Sequence, residues 1–198
     1  MSATAMDNVR SATPGQVRRS PSVPAHWPIR RHVAAAETTP AGPLHLVEVT
    51  VPAKTNLTLH VGPAHEEWGG RHALDTIYCA IGVNDVVTAT AKTPGSGFSL
   101  ELSGEHLGDL ASSGSDMRRN HAVLALFAIA RAAGREPDVA LHVDKHIPVG
   151  AGLGGGSADA AATLLAVNTL WGLHWPIERL RDICLLYTSD AADDMQCV

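Results

Sequence analysis

No apolar run in this chain approaches the ~20 residues needed to cross a bilayer as a helix. The longest, such as Ala122–Ala130 and Ala158–Val167, stop well short, and no signal-peptide apolar region is present. No membrane partner is therefore expected. Cysteine is scarce: Cys79, Cys184 and Cys197 cannot all pair, and none stand in a CxxC spacing. Neither a disulfide scaffold nor a structural zinc site is indicated, and a reducing, cytoplasmic setting fits best. Basic charge is not in excess either. Fifteen Lys and Arg against twenty Asp and Glu give a net charge of -5, so nothing asks for a nucleic-acid backbone as partner. The eleven histidines show no HExxH or comparable metal spacing, and no internal repeat is visible. What is present is 198 residues with 45% apolar and 18% charged side chains, the composition of a soluble globular protein with room for one good domain.

Residues 1–43 hold six of the twelve prolines and five arginines without apolar periodicity, which describes a disordered extension. Its Arg and Ser content also suits a transit peptide, but the amphipathic pattern of one is missing. From Leu44 the character changes. One strand is expected over Leu44–Val51 and, after Pro52, a second carrying Leu57, Leu59 and Val61. Val86–Ala91 and Phe98–Leu102, separated by Thr93-Pro94-Gly95-Ser96-Gly97, read as a hairpin. Helical spacing of Val123, Leu124, Phe127 and Ala130 predicts a helix over Met117–Ala133, with Asp116 as cap and Gly134 just past its end. A short strand at Val139, Leu141 and Val143 follows, then a glycine-rich loop, a helix over Ala158–Leu170, and a third helix over Ile177–Leu186 opened by Pro176.

The loop is the most informative segment. Pro148-Val149-Gly150-Ala151-Gly152-Leu153-Gly154-Gly155-Gly156-Ser157-Ala158 places five glycines in nine residues directly before a helix N-terminus. Missing Cβ atoms let a ligand approach the backbone, and the unpaired amides and dipole of the helix start favour an anion, most naturally phosphate. A flexible linker has the same composition, but linkers seldom sit between an apolar strand and a well-patterned helix. The loop is not a Walker loop, because no lysine follows the glycines. Gly150, Gly152 and Gly155 satisfy GxGxxG, yet Lys145-His146-Ile147-Pro148 intervene after the strand and no second strand with a ribose-binding acid follows, so the dinucleotide-binding match is accidental.

Pro148 through Asp159 and the following helix resemble the ATP loop of the GHMP kinase superfamily, and the triple glycine is similar to its diphosphocytidyl-methylerythritol kinase branch. Two further segments agree. Pro52-Ala53-Lys54-Thr55-Asn56 resembles the N-terminal strand of that branch, and Gly70-Arg71-His72 its glycine-aromatic-histidine stretch, with Arg71 standing where tyrosine is usual. The resemblance covers about residues 46–183. It implies an α/β (α+β) fold, a mixed sheet packed with helices of the ribosomal protein S5 domain 2-like kind, over residues 44–186. It also implies ATP bound by Pro148–Ala158, Mg2+ bridging phosphates, and Lys54 countering charge on the transferred group. Asn56 and His72 would hold a small-molecule substrate, a cytidine diphosphate-linked methylerythritol. Chemistry of this kind needs little beyond positioned cations, because phosphoryl transfer is catalysed mainly by positioning and electrostatics.

Beyond the third helix the family carries a Leu-Gly-(Ala/Ser)-Asp-Val-Pro segment whose aspartate takes the hydroxyl proton. Here the chain reads Cys184-Leu185-Leu186-Tyr187-Thr188-Ser189-Asp190-Ala191-Ala192-Asp193-Asp194, with Asp190 in register as the catalytic base but no Val-Pro after it. Two readings stand: a divergent loop with Asp190 as base, or a non-family tail over 187–198 of the kind produced by adapter read-through, with the C-terminal domain absent. A different GHMP kinase, or a nucleotide-binding fragment without catalysis, are the competing functions. Oligomeric state is not legible.

Overall fold

The computed structural model describes residues 44–108 and 117–188. Four strands form one mixed sheet: β1 (Leu46–His65), β2 (Arg71–Ala91), β3 (Ser99–Gly104) and β4 (Val139–Lys145). Their spatial order is β1-β2-β4-β3, with β1 antiparallel to β2, β2 antiparallel to β4, and β3 parallel to β4. Three helices, α1 (His121–Ala133), α2 (Gly155–Leu170) and α3 (Ile177–Thr188), complete the architecture. The expected extension 1–43 and the residues from Ser189 onward, Asp190 included, lie outside the described residues, as does Asp116.

Alternation along the strands builds the core. Val47, Val49, Val51 and Ala53 of β1, Val87 and Ala89 of β2, and Val139, Leu141 and Val143 of β4 are all buried on the side of the sheet where α2 packs, and the buried side of α1 joins the same core. Helix α2 is buried on most of its circumference because it touches β1, β2, α1 and α3, which explains its run of Ala160, Ala162, Ala166 and Val167. Small side chains let the helices approach closely. Asn120 caps α1 by accepting the Ala122 N–H at 2.9 Å, and Gly134 ends it in the left-handed conformation.

Three expectations are corrected. The chain does not break at Pro52: β1 runs through it, with a bulge where Pro52 faces Asn84 and Ala53 faces Ile81. Because β1 is an edge strand, the N–H that proline lacks can face away from the ladder. Second, Val86–Ala91 and β3 are not hairpin partners, since β4 lies between them; β3 reaches β4 through α1, the helical crossover that parallel strands require. Third, α1 starts at His121 after a 3-10 turn at Met117–Arg119, and α2 starts at Gly155, three residues early, because glycine accepts the helical first turn. Cys184 on α3 is buried, and Cys79 is a free thiol. Among the described residues no helix is long and apolar enough to cross a membrane.

Gly104 closes β3 beside Lys145 with φ 112°, where a Cβ would overlap the Lys145 carbonyl oxygen. Gly104→Ala is therefore expected to lower stability by about 2–4 kcal/mol through left-handed strain and backbone overlap. A urea unfolding midpoint that does not move would show that the strand end relaxes freely.

Candidate active site

The glycine loop leaves β4 at Lys145 and enters α2 at Gly155, and it is pinned from both ends. Lys145 continues the inward phase of β4, so its side chain enters the core instead of solvent, at 2% exposure. There its Nζ donates to Asp85 Oδ2 at 2.5 Å and to Asp159 Oδ2 at 2.7 Å. Asp85 continues the inward phase of β2 one step beyond the Val86–Asp144 pair, and Asp159 descends from the first turns of α2. The other oxygen of Asp85 accepts the backbone N–H groups of His146 (2.6 Å) and Ile147 (2.8 Å), which fixes the chain as it leaves the strand.

Two carboxylates share one ammonium here. Asp159 has its pKa pushed up to about 7, because burial outweighs the attraction of Lys145 and Asp85 adds repulsion. Its Oδ1 is buried without a hydrogen-bond partner, and the residue lines the cavity at the glycine loop.

The middle of the loop is held by β1. Lys54 N donates to Leu153 O at 3.0 Å, and Lys54 Nζ donates to Gly152 O at 2.9 Å and to Asn56 Oδ1 at 3.0 Å. Asn56 Nδ2 in turn donates to Thr76 Oγ1 at 2.8 Å on β2, and Lys54 Nζ stands 5.6 Å from the Tyr78 ring centroid. Tyr78 has its pKa raised by burial, partly offset by its hydrogen bond with Asn56.

The loop backbone explains its own composition. Gly150, Gly152 and Gly154 have φ of 76°, 70° and 73°, a region that side chains disfavour. Gly156 is needed for a different reason, since a Cβ there would overlap His121 Nδ1. No side-chain cap covers the start of α2, so its first amides face the loop. The result is a cavity of about 220 Å³ lined by Pro148–Ser157 together with Arg119, Asn120, His121, Lys145 and Asp159.

Of the residues singled out from sequence, Lys54, Asn56 and the loop Pro148–Ser157 come together; Ala158 follows inside α2. His72 does not join them. It lies eight residues along β2 from Ala80, the partner of Lys54, about 26 Å along an ideal strand. Its Nδ1 is 2.7 Å from Gly62 O. Asp190 is outside the described residues. Residues not anticipated are Asp85, Lys145, Asp159 and His121. The alternation Val139, Leu141, Val143, Lys145 carried the signal for one of them.

The comparisons with known proteins agree with this geometry. A family model described as GHMP kinases N terminal domain matches residues 120–196. That stretch thus resembles the N-terminal domain of the GHMP kinases, and the described residues take the same kind of fold, a mixed sheet with helices. Among its relatives, the 4-diphosphocytidyl-2-C-methyl-D-erythritol kinase of Bifidobacterium adolescentis is 72% identical over 147 residues, which are 74% of this chain and 48% of that protein. The kinase of the same name from Bifidobacterium longum subsp. infantis is 77% identical over 144 residues, 73% of this chain and 46% of that protein. The chain thus spans about half the length of the curated relatives it matches. A crystal structure of 4-(cytidine 5'-diphospho)-2C-methyl-D-erythritol kinase is similar with TM-score 0.52 and 33% identity, over 69% of this chain and 45% of that one. Homoserine kinase from Cytophaga hutchinsonii, at TM-score 0.57 and 17% identity over 80% of this chain and 46% of its own, shares the fold.

Because the folded-state pKa of Asp159 is raised, its contribution to stability is full below the ordinary carboxylate range and is lost as pH rises through about 7. The urea midpoint is expected to fall between pH 5 and pH 8, and Asp159→Asn should flatten that fall. An unchanged slope in the variant would mean that Asp159 is ionised throughout.

Proposed function

We propose that the full-length protein is an ATP-dependent kinase that phosphorylates the 2-hydroxyl of 4-diphosphocytidyl-2-C-methyl-D-erythritol, a step of the non-mevalonate route to isoprenoids. One observation carries the reading: Lys54 is hydrogen-bonded into the glycine loop through neutral partners, Gly152 O and Asn56 Oδ1. Lys145 lines the cavity, but its charge is matched by Asp85 and Asp159. Lys54 is therefore the lysine whose charge is available to an anion. The names and high identity of the Bifidobacterium relatives supply the substrate.

In this mechanism the amides at the start of α2 and the loop backbone bind the phosphates of ATP, and Lys54 counters charge that develops on the transferred group. The substrate oxygen attacks the γ-phosphorus, its proton passes to a carboxylate, and ADP leaves. Asp190 takes that carboxylate role by its register in the sequence. Asn56 orients the acceptor beside Lys54, and His72 on the β1–β2 arm meets the cytosine end.

Among the described residues no group of three or more His, Cys, Asp or Glu can hold a metal. A Mg2+ ion arriving with the nucleotide would therefore be held chiefly by the phosphates themselves, whose negative charge it would neutralise. The cavity is smaller than the ~300–1,000 Å³ of a complete small-molecule site, which suits a part that receives the phosphates and not the whole ligand pair. The same reading puts the protein in the cytoplasm with other enzymes of small-molecule metabolism.

ADP release by the full-length protein, measured with 4-diphosphocytidyl-2-C-methyl-D-erythritol, homoserine and mevalonate as acceptors, tests the assignment. Turnover is expected with the first alone; turnover with another acceptor would make this a different GHMP kinase, and ATP binding without turnover would make it a nucleotide-binding module. Lys54→Ala should lower kcat by about 10²–10³-fold, the effect of deleting one transition-state donor, with nucleotide affinity changed only a few-fold. Loss of nucleotide binding instead would make Lys54 a ground-state ligand.

A further inference from the structure

The cavity has a second wall that the phosphate-loop motif does not include. Helix α1 begins at His121, beside the start of α2, and Arg119, Asn120 and His121 line the same cavity as the glycines. His121 is packed so closely on the loop that a Cβ at position 156 would overlap its Nδ1. Two helix starts therefore converge on one space, each presenting positive dipole to it. The charged groups that face the imidazole are Arg119 from the turn before α1, Lys145 from β4 and Asp159 from α2. Asp85 of β2 stands behind Lys145, and Lys54 of β1 lies across the loop.

In this setting the imidazole is held neutral: burial, and then the positive charge of Lys145, lower its pKa from the usual value. The arrival of a polyphosphate reverses the balance, because several negative charges would then lie within the cavity that the ring lines.

We propose that His121 takes up a proton from solvent when the polyphosphate of a nucleoside triphosphate enters the glycine cavity, and that the imidazolium is one of its ligands. The proposal rests on the reading of the loop as a nucleotide site and adds a residue that the motif lacks. It makes binding pH-dependent: the affinity rises as pH falls, by up to about tenfold per pH unit over the range where only the bound form carries the proton.

Calorimetry on the full-length protein, in two buffers of different ionisation heat at pH 7.5, counts the protons taken up. The probes are a non-hydrolysable ATP analogue and inorganic tripolyphosphate. Net uptake is expected with both, and His121→Asn and His121→Gln should remove the part due to the ring and flatten the pH dependence of Kd. The same uptake in variants that bind overturns the proposal and leaves the nucleotide site intact, the proton then belonging to Asp159 or to the ligand itself. Uptake through the ring with the ATP analogue alone overturns the assignment to the polyphosphate. Binding of neither probe overturns the nucleotide site and this inference with it. In the unmutated protein the NMR titration midpoint of the His121 ring should move upward when tripolyphosphate is added; a fixed midpoint also overturns the proposal.

Discussion

Lys145 lies at 2% exposure between Asp85 and Asp159, and the position of the glycine loop depends on that contact. Lys145 and Asp159 flank the loop in sequence, so their ion pair closes it like a clasp, while Asp85 holds its first two backbone N–H groups. A loop of such glycine content has an unusually large conformational entropy when free. Fixing both of its ends by a buried, charge-assisted contact confines it before any ligand arrives, which lowers the cost of binding. Burial makes the clasp demanding: removal of Lys145 would leave two buried carboxyl groups without their cation, a loss on the order of 3–5 kcal/mol in comparable sites.

The β1 strand adds a third attachment. Through its backbone N–H and its ammonium, Lys54 binds two consecutive carbonyls, Leu153 O and Gly152 O, so the loop cannot move relative to the lysine that faces it. Positional certainty of this kind matters for phosphoryl transfer, where the protein contributes charge and alignment more than covalent chemistry. The continuity of β1 through Pro52 has the same consequence: one strand from the core carries Lys54, with Asn56 beside it, to the glycine loop.

The parts of the site visible in the sequence are those that composition marks locally. Five glycines before a patterned helix identify the loop, and Lys54 and Asn56 stand out through the resemblance of their segment to a family strand. The clasp was hidden because its members are separated by 60 and 14 residues, and because a lysine at an inward phase reads as the end of a strand until its two acids are seen. His121 was hidden for a related reason, since it occupies the first position of an ordinary helix and its neighbour Gly156 lies 35 residues away. The sheet order failed similarly: the turn Thr93–Gly97 promises a hairpin, and only the pairing of β4 with both β2 and β3 shows that a third strand has been inserted.

Asp159 separates the surroundings of the two lysines at the glycine loop. With Asp85 it holds the Lys145 ammonium in the core, where it fixes the ends of the loop. Lys54 is held instead by an amide oxygen and a backbone carbonyl. The surplus carboxylate oxygen is tolerable because burial raises the pKa of Asp159 to about 7, so the group need not carry a full charge in the core. One lysine is thus structural and the other electrostatic, and the difference is set by the partners that each strand end provides.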